Sequence, residues 1–380
     1  MVERQSVRKN EPMSAQTVEQ AVPYGSNEIR LSLRQWVGVF CFLIVFFAVV
    51  PIVWNTIEPF SPDGNYRIPE ELSYDYWLFN RYARWACRSN ELIVFGDSVI
   101  WGQYVQADQT LSSYLNREGS ITSANCGVNG THPAALEGLI RYYGRSISGR
   151  KTILHCNLLW MSSEQHDLQT DKEFHFNHPD LVPQFIPRIP CYKEKYSHRL
   201  GVVIGRAIPF FAWAAHLRIA CFGSTDIPNW TIENPYRNPA RAILNYKFEL
   251  NEEPRSDAVP WTEKNIPKQN LQWVSIDSSV QWRSFRNTVD VLSSRQNNIL
   301  VVLGPFNIHM LTDDSLQRYH SIRKKVIEWM EEKGVEYYAP SPLPSDYYAD
   351  ASHPLAEGYE MLASDVVESK VFQRLIKGGQ

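Results

Sequence analysis

Between Trp36 and Trp54 the chain runs WVGVFCFLIVFFAVVPIVW without one charged side chain. As a helix rising about 1.5 Å per residue, this stretch is roughly 28 Å long, close to the hydrocarbon thickness of a bilayer. A helix apolar on every side has no place on a water-soluble surface, so the stretch predicts a single membrane span over residues 36–54. Trp36 and Trp54 stand at its ends, where indole rings favour the membrane interface. Arg30 and Arg34 precede it while Glu58 and Asp63 follow, which predicts a cytoplasmic N-terminus with everything after the span outside the cytosol. The long polar leader and the lack of a small-x-small cleavage site favour an uncleaved anchor over a removed signal peptide.

This span divides the rest. Residues 1–35 are expected to be a cytoplasmic tail, polar and without apolar periodicity from Met1 to Glu28 and hence disordered. Residues 55–90 are read as a membrane-proximal linker and the start of the outer domain, with Pro59, Pro62, Gly64 and Pro69 punctuating the linker as far as Glu71. Residues 91–380 form the outer domain proper, and 44% hydrophobic with 21% charged residues suits a packed core. A formal net charge of −3 supplies no basic footprint, which argues against a nucleic-acid partner.

Within the outer domain, short apolar runs alternate with helical periodicity, the pattern of an α/β fold with a parallel sheet between helices. The expected strands are Leu92–Phe95, Ile121–Asn125, Thr152–Cys156, Ile299–Leu303 and Val335–Tyr338, five in one sheet. Expected helices are Pro133–Ser146, Val280–Ser294, Ser315–Lys333 and Leu355–Val371. The proline-rich stretch 162–276 breaks the alternation and reads as an insertion after the third strand, where such insertions commonly form lids or substrate walls. Of the six cysteines, Cys41 lies in the span; Cys191 with Cys221 is the pair to test as a disulfide in an oxidising compartment.

In an open parallel sheet the functional crevice lies beyond the carboxyl ends of the strands. The first strand runs directly into Gly96-Asp97-Ser98, which presents a serine at that end. A serine needs a base, a group to orient the base, and donors for an oxyanion. Near the C-terminus, YYADASHPLAEGYEMLA sets Asp350 three residues before His353, a spacing that lets a carboxylate hold one imidazole nitrogen while the other faces outward. Asp97 reads as a turn residue that bonds nearby backbone N–H groups. The stretch HDLQTDKEFHFNHPD gathers His166, Asp167, His175, His178 and Asp180, but it fits no standard zinc spacing and reads as solvated loop residues. Asn307 and His309, after the fourth strand, are expected to line a substrate pocket. Trp213, Trp230, Trp261 and Trp273 are offered for a sugar or acyl pocket, with core packing the commoner role for most.

GDSVIWG at Gly96–Gly102 followed by DASHP at Asp350–Pro354 resembles the SGNH, or GDSL, hydrolases. The resemblance runs from about Glu91 to the C-terminus, leaving the insertion unmatched. It implies a flavodoxin-like, three-layer α/β/α fold and ester hydrolysis or acyl transfer without a cofactor. It further implies Ser98 as nucleophile, His353 as base and Asp350 as its orienter. In SANCGVNGTHP, Gly130 takes the place of the family's oxyanion glycine, its N–H joining that of Ser98. The family's third block reads Gly-x-Asn-Asp; here ILHCNLLWM keeps only Asn157 as a third donor. Members of the family tethered outside the cytosol often act on acylated carbohydrates, so the resemblance implies an O-acylated glycan as substrate. The rival from another class is an inactive envelope protein that keeps the fold to bind a glycan or scaffold an assembly, and the degraded third block is its support.

Overall fold

The computed structural model describes residues 31–246 and 258–378. The expected tail lies outside the described residues up to residue 30, as do residues 247–257 of the insertion. Helix α1 (Leu33–Ile57) contains the apolar run, and its Phe40 and Phe42 side chains are 64% and 66% exposed. Among the described residues it is the one helix that, taken singly, is long and apolar enough to cross a bilayer, which suggests a membrane anchor. As far as Phe46 it stands as a compact unit of its own; the chain from Phe47 onward forms the second.

That second unit is α/β. After α2 (Tyr76–Ser89) come β1 (Leu92–Phe95), α3 (Ser98–Trp101), α4 (Leu111–Glu118), β2 (Ser123–Asn125), α5 (Pro133–Gly138) and β3 (Lys151–Cys156). The insertion contributes α6 (Tyr196–Ala207), α7 (Pro209–Phe222), α8 (Ile227–Glu233) and α9 (Pro239–Leu244). The chain then continues through α10 (Val280–Ser294), β4 (Asn298–Leu303), α11 (Asp313–Lys333), β5 (Glu336–Tyr338), α12 (Ala356–Glu368) and α13 (Lys370–Lys377). All five expected strands form one parallel sheet in the order β2-β1-β3-β4-β5, with Ile93 opposite Ala124 on one side and Thr152 on the other.

β1 is buried along its whole length, which is why its sequence is a continuous apolar run rather than an alternation. Successive side chains still point to opposite faces. Ile93 and Phe95 join Phe79 and Tyr82 of α2, Leu136 of α5, Phe285 of α10 and Val326 of α11 in one apolar cluster. Leu92 and Val94 join Leu111 of α4, Leu362 of α12 and Phe372 of α13 in another. Each such side chain, fully buried, contributes about 1.5–3 kcal/mol, so both clusters fix β1 in place.

Several expectations need correction. The segment after Asn55 is not a linker: Tyr66 and Ile68 are buried in the core, because aromatic and aliphatic side chains between the prolines pack against α2. The helix begun at Pro133 is α-helical only to Gly138 and widens into a π turn over Leu139–Tyr143. Gly138 is needed there, since a Cβ would fall 1.9 Å from the Leu181 carbonyl oxygen. The last helix breaks at Ser369, whose hydroxyl accepts from Phe372 N–H and caps α13. Cys191 and Cys221 are not joined; Cys191 is buried beside Leu168 and Tyr192, whereas Cys221 lies half-buried on α7 near Glu58 and Asp75.

Candidate active site

Ser98 opens α3 immediately after β1. Asp97, extended, is the N-cap, its carboxylate accepting from Val99 N–H at 3.0 Å. The other end of α3 is closed by Gly102, at φ +89°, and by Arg67 from the segment before α2. The Arg67 guanidinium donates to the carbonyls of Trp101, Gly102 and Val105 and lies over the Trp101 ring, while Trp101 Nε1–H donates to Ile68 O at 2.6 Å. The turn carrying Ser98 is therefore clamped at both ends.

His353 approaches from the loop after β5. Its Nδ1 lies 2.8 Å from both carboxylate oxygens of Asp350, and its Nε2 lies 2.8 Å from Ser98 Oγ. A carboxylate only accepts, so Nδ1 carries the proton and Nε2 offers its lone pair to the serine hydroxyl. Burial opposes the charge on Asp350, but the hydrogen bond and charge of His353, with the Ser352 and His353 N–H groups, outweigh it and hold the carboxyl below its usual range. The loop itself is anchored by Asn307, whose Nδ2 donates to Asp350 O at 3.0 Å and whose N–H donates to Ala351 O at 2.8 Å. Asn307 is fully buried and positions this loop rather than lining a pocket; His309 likewise bonds Leu343 O.

Ser98 and His353 open onto a cleft of about 550 Å³ whose lining includes Tyr74, Gly130, Asn157, Trp160 and Asn177. Gly130 sits at φ +72°, a conformation that disfavours any side chain, and an added Cβ would meet Asn177 Nδ2 at 2.4 Å. Among the described residues neither the Ser98 nor the Gly130 N–H is engaged by another group. Asn157 caps the turn after β3: its Oδ1 accepts from Leu159 N–H at 3.0 Å, and its Nδ2 donates to Asp97 Oδ2 at 2.8 Å. An amide nitrogen carries two protons, so one N–H of Asn157 remains for the cleft.

Asp97 exceeds the turn role read from sequence. Besides Val99 N–H it accepts from His155 Nδ1 at 3.0 Å and from Asn157 Nδ2 and Trp160 Nε1 at 2.8 Å each. Burial alone would raise its pKa; the His155 charge and hydrogen bond, with those from Trp160 and Asn157, more than offset that and hold it well below the carboxylate range. His155 and Trp160 went unnoticed in the sequence. The only signal was their place at and just beyond the end of the expected third strand, the end where a functional crevice lies.

In the histidine-rich stretch of the insertion, Asp167 and His178 are buried and structural rather than solvated, while His175 is exposed. Asp167 accepts from Ser279, Val280 N–H and Gln281 N–H at the start of α10. His178, buried and pushed down to about 4, donates to Asn129 O at 2.9 Å and so pins the turn that carries Gly130. Asn177 is the insertion's contribution to the cleft wall. Among the described residues, no three His, Cys, Asp or Glu side chains are grouped to hold a metal. Of the four tryptophans singled out, none lines the cleft: Trp230 packs on Phe222, Trp273 on Phe306, Trp213 on Phe210, and Trp261 bonds Ser345 O. No protein-family model and no curated protein matches the chain.

Proposed function

We propose that the protein is a membrane-anchored serine hydrolase of SGNH type that acts on an ester, with an O-acylated carbohydrate the substrate class implied by the resemblance. The observation that carries the reading is the continuous relay from Asp350 through His353 to Ser98, at 2.8 Å in each step. The strand order, in which the connection from β1 to β2 runs one way across the sheet and the later ones to β3, β4 and β5 run the other, supports reading the sheet as flavodoxin-like, with its functional crevice at the switch point between β1 and β3. The flanking helices are read as its two outer layers.

In this reading His353 Nε2 takes the proton of Ser98 as Oγ attacks the ester carbonyl. The oxyanion is met by the N–H groups of Ser98 and Gly130 and by the free N–H of Asn157. His353 then returns the proton to the leaving alcohol, and water or a second hydroxyl resolves the acyl-enzyme. Asp97 positions Asn157 without touching substrate. The domain faces the side of the membrane opposite the cytosol, as the Arg30 and Arg34 against Glu58 and Asp63 asymmetry favours.

The test is covalent labelling of the full chain with a fluorophosphonate, together with hydrolysis of p-nitrophenyl acetate. Wild type is expected to label and turn over, and Ser98→Ala to do neither; His353→Ala is expected to lose about three or more orders of magnitude in kcat. An unlabelled wild type without esterase activity would leave the fold as a binding module.

A further inference from the structure

The insertion holds a second apolar surface. Helix α6 and the helical stretch Pro209–Glu233 that starts with α7 meet at a bend of 103°, and together they are long and apolar enough for a broken span. On α6 the side chains of Leu200, Val203 and Ile204 are exposed, and Phe211 continues the strip past the bend. Their spacing of three to four residues puts those of α6 on one face.

The charges on α6 are turned away from this strip. Arg199 donates to the carbonyls of Gln184, Tyr192 and Glu194, and Arg206 to those of Asp180 and Val182. Both guanidinium groups also lie over rings of the body, those of Tyr192 and Tyr142. The strip thus exposes hydrocarbon while both arginines of α6 are satisfied from behind, and His198, half-exposed, faces Asp180 Oδ1 at 3.6 Å.

What covers the strip is indicated by its neighbour. Phe47 of α1 stacks on Phe210 with ring centroids 4.3 Å apart and meets Phe211 edge-on at 6.1 Å. Trp54 meets Trp213 edge-on at 6.0 Å. Phe47 precedes Trp54 by seven residues, so along a helix it lies about 10 Å deeper. The start of α7 is therefore held beside α1 at the level of Phe47, within the apolar run and not beyond its end.

We propose that the α6–α7 elbow is a second bilayer contact, its apolar strip sunk into the hydrocarbon of the same leaflet that holds the C-terminal part of α1. The partner is lipid acyl chain, and the insertion serves to fix the outer domain against the membrane surface. The inference rests on α1 being a membrane anchor, and a native residue separates the two claims: Cys41 is exposed within the apolar run.

The experiment uses the full chain in phosphatidylcholine vesicles and a nitroxide label read by its collisions with oxygen, which concentrates in hydrocarbon, and with a water-soluble nickel chelate. The label is placed on Cys41 in the wild type, and on Ile204→Cys or Leu200→Cys in a Cys41→Ser background, with the unsubstituted background as blank. Collision with oxygen several-fold above that with nickel is expected at Cys41 and at both elbow sites. Oxygen access at Cys41 with nickel access at Ile204 and Leu200 overturns the elbow while keeping the anchor. Nickel access at Cys41 overturns the anchor itself. Low access to both reagents at the elbow sites means that protein covers them, and also refutes the proposal.

Discussion

Replacing Asp97 by asparagine tests the arrangement under the candidate nucleophile at nearly constant volume. The carboxylate accepts four hydrogen bonds, two at Oδ1 from Val99 N–H and His155 Nδ1 and two at Oδ2 from Asn157 and Trp160. An amide offers one oxygen, so one pair of donors must face an NH2 group. The less costly orientation keeps the oxygen toward Asn157 and Trp160, because His155 can keep a proton on Nε2 alone, which has no partner among the described residues, and accept at Nδ1. Val99 N–H is then left unsatisfied and the charge assistance at the remaining bonds is lost. With charge-assisted bonds worth about 1.5–3 kcal/mol each, we expect a net loss of about 3 kcal/mol. That corresponds to a fall in melting temperature of roughly 4–5 °C for a domain of this size. The pH dependence carries a sign: a carboxyl depressed in the fold gives stability that is fully present above its unfolded pKa of about 3.9 and is lost as pH falls through the folded value. The gap between wild type and Asp97→Asn should therefore be constant above about pH 5 and shrink below about pH 4. Thermal unfolding of the full chain in detergent from about pH 2.5 to pH 8 measures it. A gap below about 1 kcal/mol at neutral pH would refute the view that a buried, fully bonded carboxylate organises this site.

Asn157→Ala should lower kcat by about two to three orders of magnitude with KM nearly unchanged if its free N–H meets the oxyanion; a variant destabilised by about 1 kcal/mol yet fully active would assign it to structure alone. His216 on α7 is buried between Asp75 Oδ2 at 2.6 Å and Glu58 Oε1 at 3.0 Å, with Arg81 on the other oxygen of Glu58. Burial alone would lower its pKa, but the hydrogen bonds and charges of Asp75 and Glu58 raise it to about 9. That contribution is present below the unfolded value of about 6.5 and is lost as pH rises toward 9, so urea unfolding should show about 3 kcal/mol less stability at pH 9.5 than at pH 6 from this group. His216→Ala, which leaves two carboxylates facing one arginine in the interior, should cost about 3–5 kcal/mol and remove most of that pH dependence.

What the sequence determined by itself is whatever rests on local pattern. The apolar run from Trp36 to Trp54 fixes α1, because nineteen uncharged residues have one stable setting. The continuous run Leu92–Phe95 fixes a strand buried on both faces, and Gly96-Asp97-Ser98 with Asp350-x-x-His353 is legible because each is a short segment whose chemistry needs no distant partner to be recognised. The tertiary structure decided everything that depends on which segments meet. Asn55–Glu71 reads as a linker by its prolines, yet Arg67 and Ile68 clamp the turn after Ser98, a pairing across more than thirty residues that no periodicity records. The same holds for Asp97 with His155 and Trp160, brought together by parallel strand neighbours. Asn307 looks like a pocket residue by its strand-end position; only the fold turns it toward Asp350. The physical reason is common to all of these cases. A side chain's type and local spacing set what it is able to bond, while burial and direction, set by the sheet order, select the one partner it does bond.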